Sequence, residues 1–550
     1  MSIQYKRLRL GVALAFAALA FFQVERAADA QPAPPAPGAP GTEASPTPAP
    51  AASPIPTPAP NRSPSAFDVH GLDIRGYFRS YYFTRQNASG FPSTAGQLNQ
   101  ASWNNAASLH VGYQILNSGF SVGGTYLYAN PFNGCADPRS TKFNCLTLTP
   151  TSIPSSLLFP EHLNPDTTLP QYSLSTFYET YIQYDRNGLY AKVGDQVINT
   201  PWAPAGDTRL KPHAFQGADI AYQFTPNISL EVSDYSKFQP RTTSDWLQST
   251  LLTGALTELP HTQNPPANTG GFQYGRIGWA SPNFTTNLHY YHFIDLAWLG
   301  WLDGRYTLSH VARRPFVAFQ AGQEKNVGSS IVGRINSQVY GLQVGLNVVR
   351  NLVFTMGADV IPHHIETLPA GTCNPATLQI TPTQTFPNPT SGFFVGTNVP
   401  QCTINPNGTA SVDFGGIASP YTFTEATDPL FTTSLTQGMV ERGAGDSQKL
   451  ALTYTSSDKR LVLYVSRAYY NYGINNFPDQ TVETVGDALY YLRPLTGSHY
   501  HGLLLRYRYG VRTDDHASAL NVSPVVAAHS AFFGSLPYFV YNRAQLEYDF

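Results

Sequence analysis

The C-terminal end of the chain alternates between two kinds of residue. One set of alternate positions holds Val540, Asn542, Ala544, Leu546, Tyr548 and Phe550, and the other holds Tyr541, Arg543, Gln545, Glu547 and Asp549. Because successive side chains of a β-strand point to opposite faces, this segment would have one largely apolar face and one polar, charged face. A wall between lipid and water has such strands, although a half-buried strand of a soluble sandwich alternates in the same way. The alternation therefore predicts an all-β protein and leaves its environment open.

The composition favours the membrane environment. Charged residues make up 12% of the chain and aromatic residues 13%, whereas soluble domains carry about 25% charged residues. A barrel wall that faces lipid needs few charges and carries aromatic residues at its rims. The mean hydropathy of −0.21 is too low for a bundle of membrane helices, but it fits strands with one face in water. We therefore predict a transmembrane antiparallel β-barrel.

Eight short segments made of hairpin-forming residues separate the predicted strands. They are Asn117-Ser118-Gly119, Arg186-Asn187-Gly188, Thr225-Pro226-Asn227, Ser281-Pro282-Asn283, Arg313-Arg314-Pro315, Arg350-Asn351, Ser457-Asp458-Lys459 and Gly497-Ser498. Longer segments, including 130–171, 236–270 and 361–446, lie between these turns. Short periplasmic turns that alternate with long extracellular loops are typical of bacterial barrels.

The turns also predict the number of strands. Eight turns join sixteen strands, and a first strand near 71–84 and a last strand near 538–550 make eighteen. Sixteen strands is the alternative. An even number places both ends of the barrel in the periplasm, and a barrel of eighteen strands encloses an aqueous lumen.

The region before the barrel is predicted to contain two segments. Residues 1–30 resemble a signal peptide, with a basic start, an apolar run from Leu10 to Phe22 and the exit pattern Ala28-Asp29-Ala30. That run is shorter than the roughly 20 residues that a membrane helix needs. Residues 31–66 are dominated by Pro and Ala, which predicts a disordered periplasmic linker. It is either a spacer that contacts the cell wall or an unstructured tail. Residues 67–550 would form the barrel, in the bacterial outer membrane.

The four cysteines suggest disulfides, because the chain is predicted to be exported. Three connectivities exist in principle, and proximity in the sequence favours Cys135–Cys145 and Cys373–Cys402. Free thiols are the alternative.

Several function classes find no support in the sequence. The formal net charge of −2 gives no basic patch for a nucleic acid. The pattern Gly-x-Ser-x-Gly at 119–123 lies where a strand is predicted, whereas a catalytic serine of this motif needs a strand-to-helix elbow. Pairs of nearby histidines lack the His-Glu-x-x-His arrangement of a zinc site. We therefore expect no catalytic residue, no metal and no cofactor.

Several motifs together resemble the OprD-type porins, a family of substrate-specific outer-membrane channels. The matching segments are 79–85, 192–196, 199–201, 207–212, 215–217, 241–245, 483–491 and 502–509, in the family's order. The block from 192 to 217 is the most specific of them. The resemblance implies an eighteen-stranded barrel. The chain departs from the family in the Pro-rich leader, the four cysteines and the 361–446 insertion.

The resemblance implies that residues 199–214 form a loop folded into the lumen as a constriction. Asp207, Arg209, Lys211 and Pro212 are its candidate residues. Charges at a narrow point focus the electric field and select solutes by sign. The alternative is an ordinary exposed loop with an internal Asp–Arg pair.

A row of arginines is the second candidate site. Arg75 and Arg79 in the first strand, Arg506 and Arg508 in the penultimate strand, and Arg543 in the last strand share the polar face. Closure of the barrel brings these three strands together. The row resembles the basic ladder with which family members guide carboxylate-bearing solutes, a task that suits the bidentate guanidinium. The alternative is a structural role, with pairing to Asp73, Glu547 and Asp549.

The sequence therefore predicts a channel for passive diffusion of small polar, carboxylate-bearing solutes such as amino acids, peptides or organic acids. The expected partners are outer-membrane lipid, these solutes and the barrel-assembly machinery, which would recognise Tyr548 and Phe550. Contact of 31–66 with the cell wall and a homotrimer are further expectations. The alternatives are an outer-membrane barrel enzyme, and a structural barrel that tethers the envelope through the Pro-rich linker.

Overall fold

The computed structural model describes residues 71–87, 100–115, 118–131, 173–252, 268–330, 335–369 and most of 402–550. Within 402–550 the description omits 405, 414, 423–425, 437, 441–443, 473–480, 493–501 and 515–536. The predicted signal peptide and linker, as well as Cys135, Cys145 and Cys373, lie outside the described residues. The leader segments and the disulfides therefore stay predictions. None of the helices in the described part is both long and apolar enough to cross a membrane.

Eighteen antiparallel strands form one closed sheet, which confirms the predicted barrel and its strand number. Strands β1 to β7 are Leu72–Asn87, Gln100–Gln114, Phe120–Pro131, Leu174–Arg186, Leu189–Gln196, Ala214–Thr225 and Ile228–Gln239. Strands β8 to β13 are Phe272–Ala280, Phe284–Phe293, Ala297–Thr307, Phe316–Asn326, Asn336–Val349 and Leu352–Ile361. Strands β17 to β21 are Gly445–Thr455, Leu461–Tyr472, Thr481–Tyr491, Gly502–Asp514 and Pro537–Asp549. The barrel closes because β1 pairs with both β2 and β21.

A separate small sheet lies within the connection between β13 and β17. It contains β14 (Ile365–Leu368), β15 (Cys402–Ile404) and β16 (Ala410–Asp413), with β16 in the centre. The predicted 361–446 insertion therefore includes strands of its own.

The alternation seen in the sequence separates the two surfaces of the barrel. On the outer face large apolar side chains are more than half exposed, among them Phe78 at 56%, Val193 at 58% and Val232 at 56%. Aromatic pairs such as Phe120–Tyr184 and Trp279–Phe284 lie at the end where the short turns are. An apolar band with an aromatic rim is the surface that a bilayer requires.

The short connections occur together at one end of the barrel, at the predicted turns. The one between β19 and β20 lies mostly outside the described residues. At the opposite end the β9–β10 connection is unexpectedly short, since only 294–296 separate the two strands. Asp295 adopts a left-handed conformation there, with a φ of 61°, which allows the tight reversal. The expectation of long outer loops is therefore wrong for this connection.

Candidate constriction site

The connection between β5 and β6, residues 197–213, lies inside the barrel. Trp202, Leu210, Lys211 and His213 have no exposed surface. A 17-residue loop that projected into solvent could not bury such large side chains, and their contacts are with the inner face of the wall.

Arg79 of β1 ties this loop to one side of the wall. Its Nη1 and Nη2 donate to the two carboxylate oxygens of Asp207, at 2.6 and 3.1 Å. Its Nε donates to Glu547 of β21, and Nη1 also donates to the Arg209 carbonyl at 2.6 Å. The Arg79 side chain is 5% exposed and the Asp207 side chain 42%, so the contact is a bidentate ion pair between a buried guanidinium and a partly exposed carboxylate.

The opposite side of the wall contacts the same loop. The backbone N–H of Trp202 donates to the Tyr291 hydroxyl in β9 at 3.3 Å, and its indole packs edge-on against Trp301 in β10, with centroids 5.2 Å apart. Strand β10 lies nine strands from β1 in either direction around the barrel. The loop therefore crosses the lumen.

The four residues predicted for the constriction have different environments. Asp207 is the exposed one, with 42% of its side chain accessible. Lys211 is fully buried and donates through Nζ to the carbonyls of Pro240 at 2.6 Å and Pro212 at 3.4 Å. Arg209 is 4% exposed and donates to the Tyr81 hydroxyl at 3.3 Å. Charges of both signs meet in this loop, but the lysine holds backbone together instead of facing the lumen water.

The predicted row of arginines is split among different partners. Arg75 is 45% exposed and lies 3.8 Å from Asp73. Arg506 and Arg508 both contact Oδ2 of Asp487 in β19, at 2.6 and 2.9 Å. The sequence reasoning missed Asp487, although β19 alternates and its polar face can be identified in the sequence.

Arg543 has a different environment from the other arginines. Its Nε and Nη2 donate to the Tyr541 hydroxyl at 2.9 and 2.7 Å, and its guanidinium lies 5.3 Å from the ring centroids of both Tyr81 and Tyr541. Its cross-strand neighbour in β20 is Arg508. Among the described residues no carboxylate forms an ion pair with Arg543. Two guanidinium groups thus lie opposite each other on β20 and β21, and Asp487 of β19 pairs with Arg508.

A second internal segment is formed by the described parts of 415–440, which are 415–422, 426–436 and 438–440. Three wall carboxylates accept hydrogen bonds from its backbone: Glu324 from Ala418 at 2.7 Å, Asp359 from Thr432 at 2.7 Å and Glu483 from Thr436 at 3.0 Å. The wall also donates to it, through Lys449 to the Thr433 carbonyl at 2.6 Å and through Tyr470 to the Thr432 carbonyl at 2.7 Å. The sequence left open whether the 361–446 connection plugs the pore, and this part of it lies against the inner wall.

Tyr421 of this segment closes an aromatic cluster on the β6–β9 side of the lumen. Its ring lies 5.1 to 5.3 Å from those of Phe215, Phe238 and Phe272. Burial raises the pKa of the Tyr421 hydroxyl. The cluster fills part of the lumen with apolar side chains, opposite the arginines of β1, β20 and β21.

The motif Gly-x-Ser-x-Gly at 119–123 begins in the β2–β3 turn and continues into β3. A strand, and not a helix, follows the serine, so the elbow that this catalytic motif requires is missing.

These features define the class of structure: a large antiparallel barrel with an apolar exterior and a lumen narrowed by two inward-folded segments. Solved structures of outer-membrane porins share this fold. The BenF-like porin from Pseudomonas fluorescens superimposes with a TM-score of 0.59 and 11% identity, covering 87% of this chain and 98% of that one. OccAB3 from Acinetobacter baumannii gives 0.58 and 12%, covering 88% and 100%. OpdK from Pseudomonas aeruginosa, solved with vanillate, gives 0.56 and 11%, covering 87% and 98%.

The predicted OprD-like fold is thus confirmed at the level of structure. No family model matches the sequence, and no curated protein does. At identities this low the likeness shows the fold, and function has to be argued from the residues of the lumen.

Proposed function

We propose that this protein is a porin of the bacterial outer membrane through which small polar, carboxylate-bearing solutes diffuse passively. The apolar exterior supports insertion in a bilayer, and an eighteen-stranded wall is wide enough to enclose an aqueous path. The inward loop at 197–213 supports a constriction, because it contacts opposite sides of the wall.

We infer the class of solute from the balance of positive and negative charges beside this loop. Among the described residues, five guanidinium groups and four carboxylates lie where β1, β19, β20 and β21 face the loop. The cations are Arg79, Arg209, Arg506, Arg508 and Arg543, and the carboxylates are Asp207, Asp487, Glu547 and Asp549. This excess of positive charge attracts an anion in a region of low dielectric constant.

Arg543 is the best candidate for direct contact with a solute carboxylate. Arg79 is occupied by two carboxylates, and Arg506 and Arg508 share a third. Among the described residues Arg543 contacts a tyrosine hydroxyl and two aromatic rings, and no carboxylate forms an ion pair with it. These contacts therefore favour a structural role for Arg79 and direct contact with a solute for Arg543. Vanillate, the molecule solved with OpdK, is a carboxylate of the proposed kind.

The path of the solute follows from what fills the lumen. The aromatic cluster around Tyr421 occupies the β6–β9 side, so the charged wall formed by β1, β20 and β21 is the polar side that remains. Exposed Asp207 marks the level of the constriction on that side and would repel an anion that strays from the arginines.

Single-channel recording of the purified full-length chain in planar bilayers tests the proposal. Wild type should form open pores, and Arg543→Gln should shift the reversal potential in a salt gradient toward cation selectivity and reduce the current block by benzoate. Arg75→Gln is the matched control, because Arg75 is exposed near the end of the wall and already lies beside Asp73. The absence of any conductance step would refute the porin assignment. Equal selectivity in both variants would refute only the role of Arg543.

Recognition of Tyr548 and Phe550 by the assembly machinery is a further proposal. The Tyr548 side chain is 49% exposed on the outer face, and the Phe550 ring lies 5.6 Å from that of Phe78. Assembly as a homotrimer and contact of 31–66 with the cell wall stay predictions.

A further inference from the structure

The charged residues of the short turns are unevenly distributed around the barrel. Outside the strands, and within the described part of the eight short connections, the charged residues lie in three consecutive turns, those after β10, β12 and β17, while Arg186 is the last residue of β4. Five are cations, Arg313, Arg314, Arg350, Lys459 and Arg460, and we refer to them as the basic arc. Asp458 is the one acid among them, 3.8 Å from Arg460. The arc therefore has a clear excess of positive charge.

Hydrogen bonds connect the three turns into one surface. The backbone N–H of Asn347, at the end of β12, donates to the Arg313 carbonyl at 2.8 Å. The side chain of Asn351 donates to Ser457 at 2.8 Å, and the N–H of Thr455 donates to the Asn351 carbonyl at 2.9 Å. The cations are thus carried on a continuous rim of the barrel and not on independent loops.

Three of these cations have a backbone conformation that other residue types adopt more readily. Arg313, Arg314 and Lys459 have φ values of 66°, 40° and 56°, in the left-handed region where Gly and Asn are preferred. The equivalent turn after β4 has Asn187 at 55°, followed by Gly188 at 78°. Long basic side chains at such positions are unfavourable for the local conformation, which indicates a role for the side chains themselves.

Apolar residues beside the cations indicate where the arc lies. Leu308 and Val311 in the first turn are 38% and 39% exposed, and Val349, next to Arg350, is 60% exposed. Exposed apolar and cationic groups on one rim match the boundary between acyl chains and headgroups of a bilayer. The rim is continuous with the lipid-facing surface, which favours lipid over a partner in the aqueous phase.

We propose that the basic arc binds the phosphate groups of anionic phospholipids in the leaflet that faces the periplasm. Arginine suits this ligand because its guanidinium can donate two parallel hydrogen bonds to phosphate oxygens. The arc lies outside the lumen, so this lipid site is independent of the solute path.

Native mass spectrometry of the full-length protein in detergent, titrated with phosphatidylglycerol or phosphatidylcholine, tests the site. The triple variant R313N/R314N/K459N removes three cations but keeps a residue that accepts the left-handed backbone, so the barrel should fold. We expect its apparent Kd for phosphatidylglycerol to rise roughly a hundredfold, at about fivefold per cation. Binding of phosphatidylcholine should not change.

The control K237N/K325N removes two cations near the end of the barrel opposite the arc and should bind phosphatidylglycerol as wild type does. Single-channel conductance of the arc variant should equal that of wild type, which shows that the barrel is folded. An unchanged Kd in the arc variant, or an equal loss in the control, would overturn the proposal. Loss of binding to purified peptidoglycan with unchanged lipid affinity would overturn it in favour of a cell-wall contact.

Discussion

Asp359 of β13 holds the internal segment 415–440 against the wall, and its replacement should release that segment. The side chain is completely buried. Its Oδ1 accepts a hydrogen bond from Gln320 Nε2 at 2.6 Å, and its Oδ2 accepts one from the Thr432 N–H at 2.7 Å. Asp359→Asn keeps the shape but removes the charge, so both charge-assisted hydrogen bonds are lost even when the Gln320 amide turns round to accept from the new NH2 group.

The magnitude follows from the kind of bond that is lost. A hydrogen bond to a buried charged group contributes about 1.5 to 3 kcal/mol. A loss of about 2 kcal/mol shifts the equilibrium between the bound and released segment roughly thirtyfold toward release, at about 1.4 kcal/mol per tenfold. Glu324 and Glu483 still hold the segment at two other points, so release should be local, around Thr432.

Single-channel recording gives the readout. The variant should show larger conductance or frequent transitions to a second, higher level, because the part of the segment around Thr432 no longer stays fixed in the lumen. Asp234→Asn is the control, since this exposed residue of β7 contacts Gln273 and not the internal segment. Equal conductance and equal current noise in wild type and Asp359→Asn would show that the carboxylate does not hold the segment.

Two further substitutions test the wall and the constriction. Arg79→Met leaves two carboxylates without their common cation, which costs about 3 to 5 kcal/mol where the pair is buried. The loop at 197–213 should then become accessible to protease, and unchanged cleavage would contradict its anchoring role. Val232→Arg introduces a cation on the lipid face near the middle of β7 and should lower the free energy of unfolding in urea by about 2 to 4 kcal/mol. Val232→Leu should have little effect, and equal stability of both variants would contradict the membrane-facing assignment.

Local patterns in the sequence were enough to predict the barrel itself. Alternation of apolar and polar residues specifies strand faces, and Gly, Asn and Pro clusters specify the turns, because both depend on the local conformation of a few residues. The side-chain pattern of the wall does not depend on residues distant in the sequence, because the outer face of every strand contacts lipid. The strand number and the lipid-facing belt followed from these signals.

The contacts between residues inside the lumen could be identified only from the tertiary structure. Arg79 meets Glu547 across 468 positions, and Ala418 meets Glu324 across 94. No local pattern distinguishes an arginine that a distant carboxylate will neutralise, such as Arg79, from one such as Arg543, which among the described residues contacts a tyrosine hydroxyl and aromatic rings. The same limit explains why the sequence left open whether the 361–446 connection enters the barrel. Backbone groups of the internal segment are satisfied by carboxylates on other strands, and only closure of the sheet brings those carboxylates to it. The sequence by itself determined the wall, and the tertiary structure decided what fills it and which charges remain for a solute.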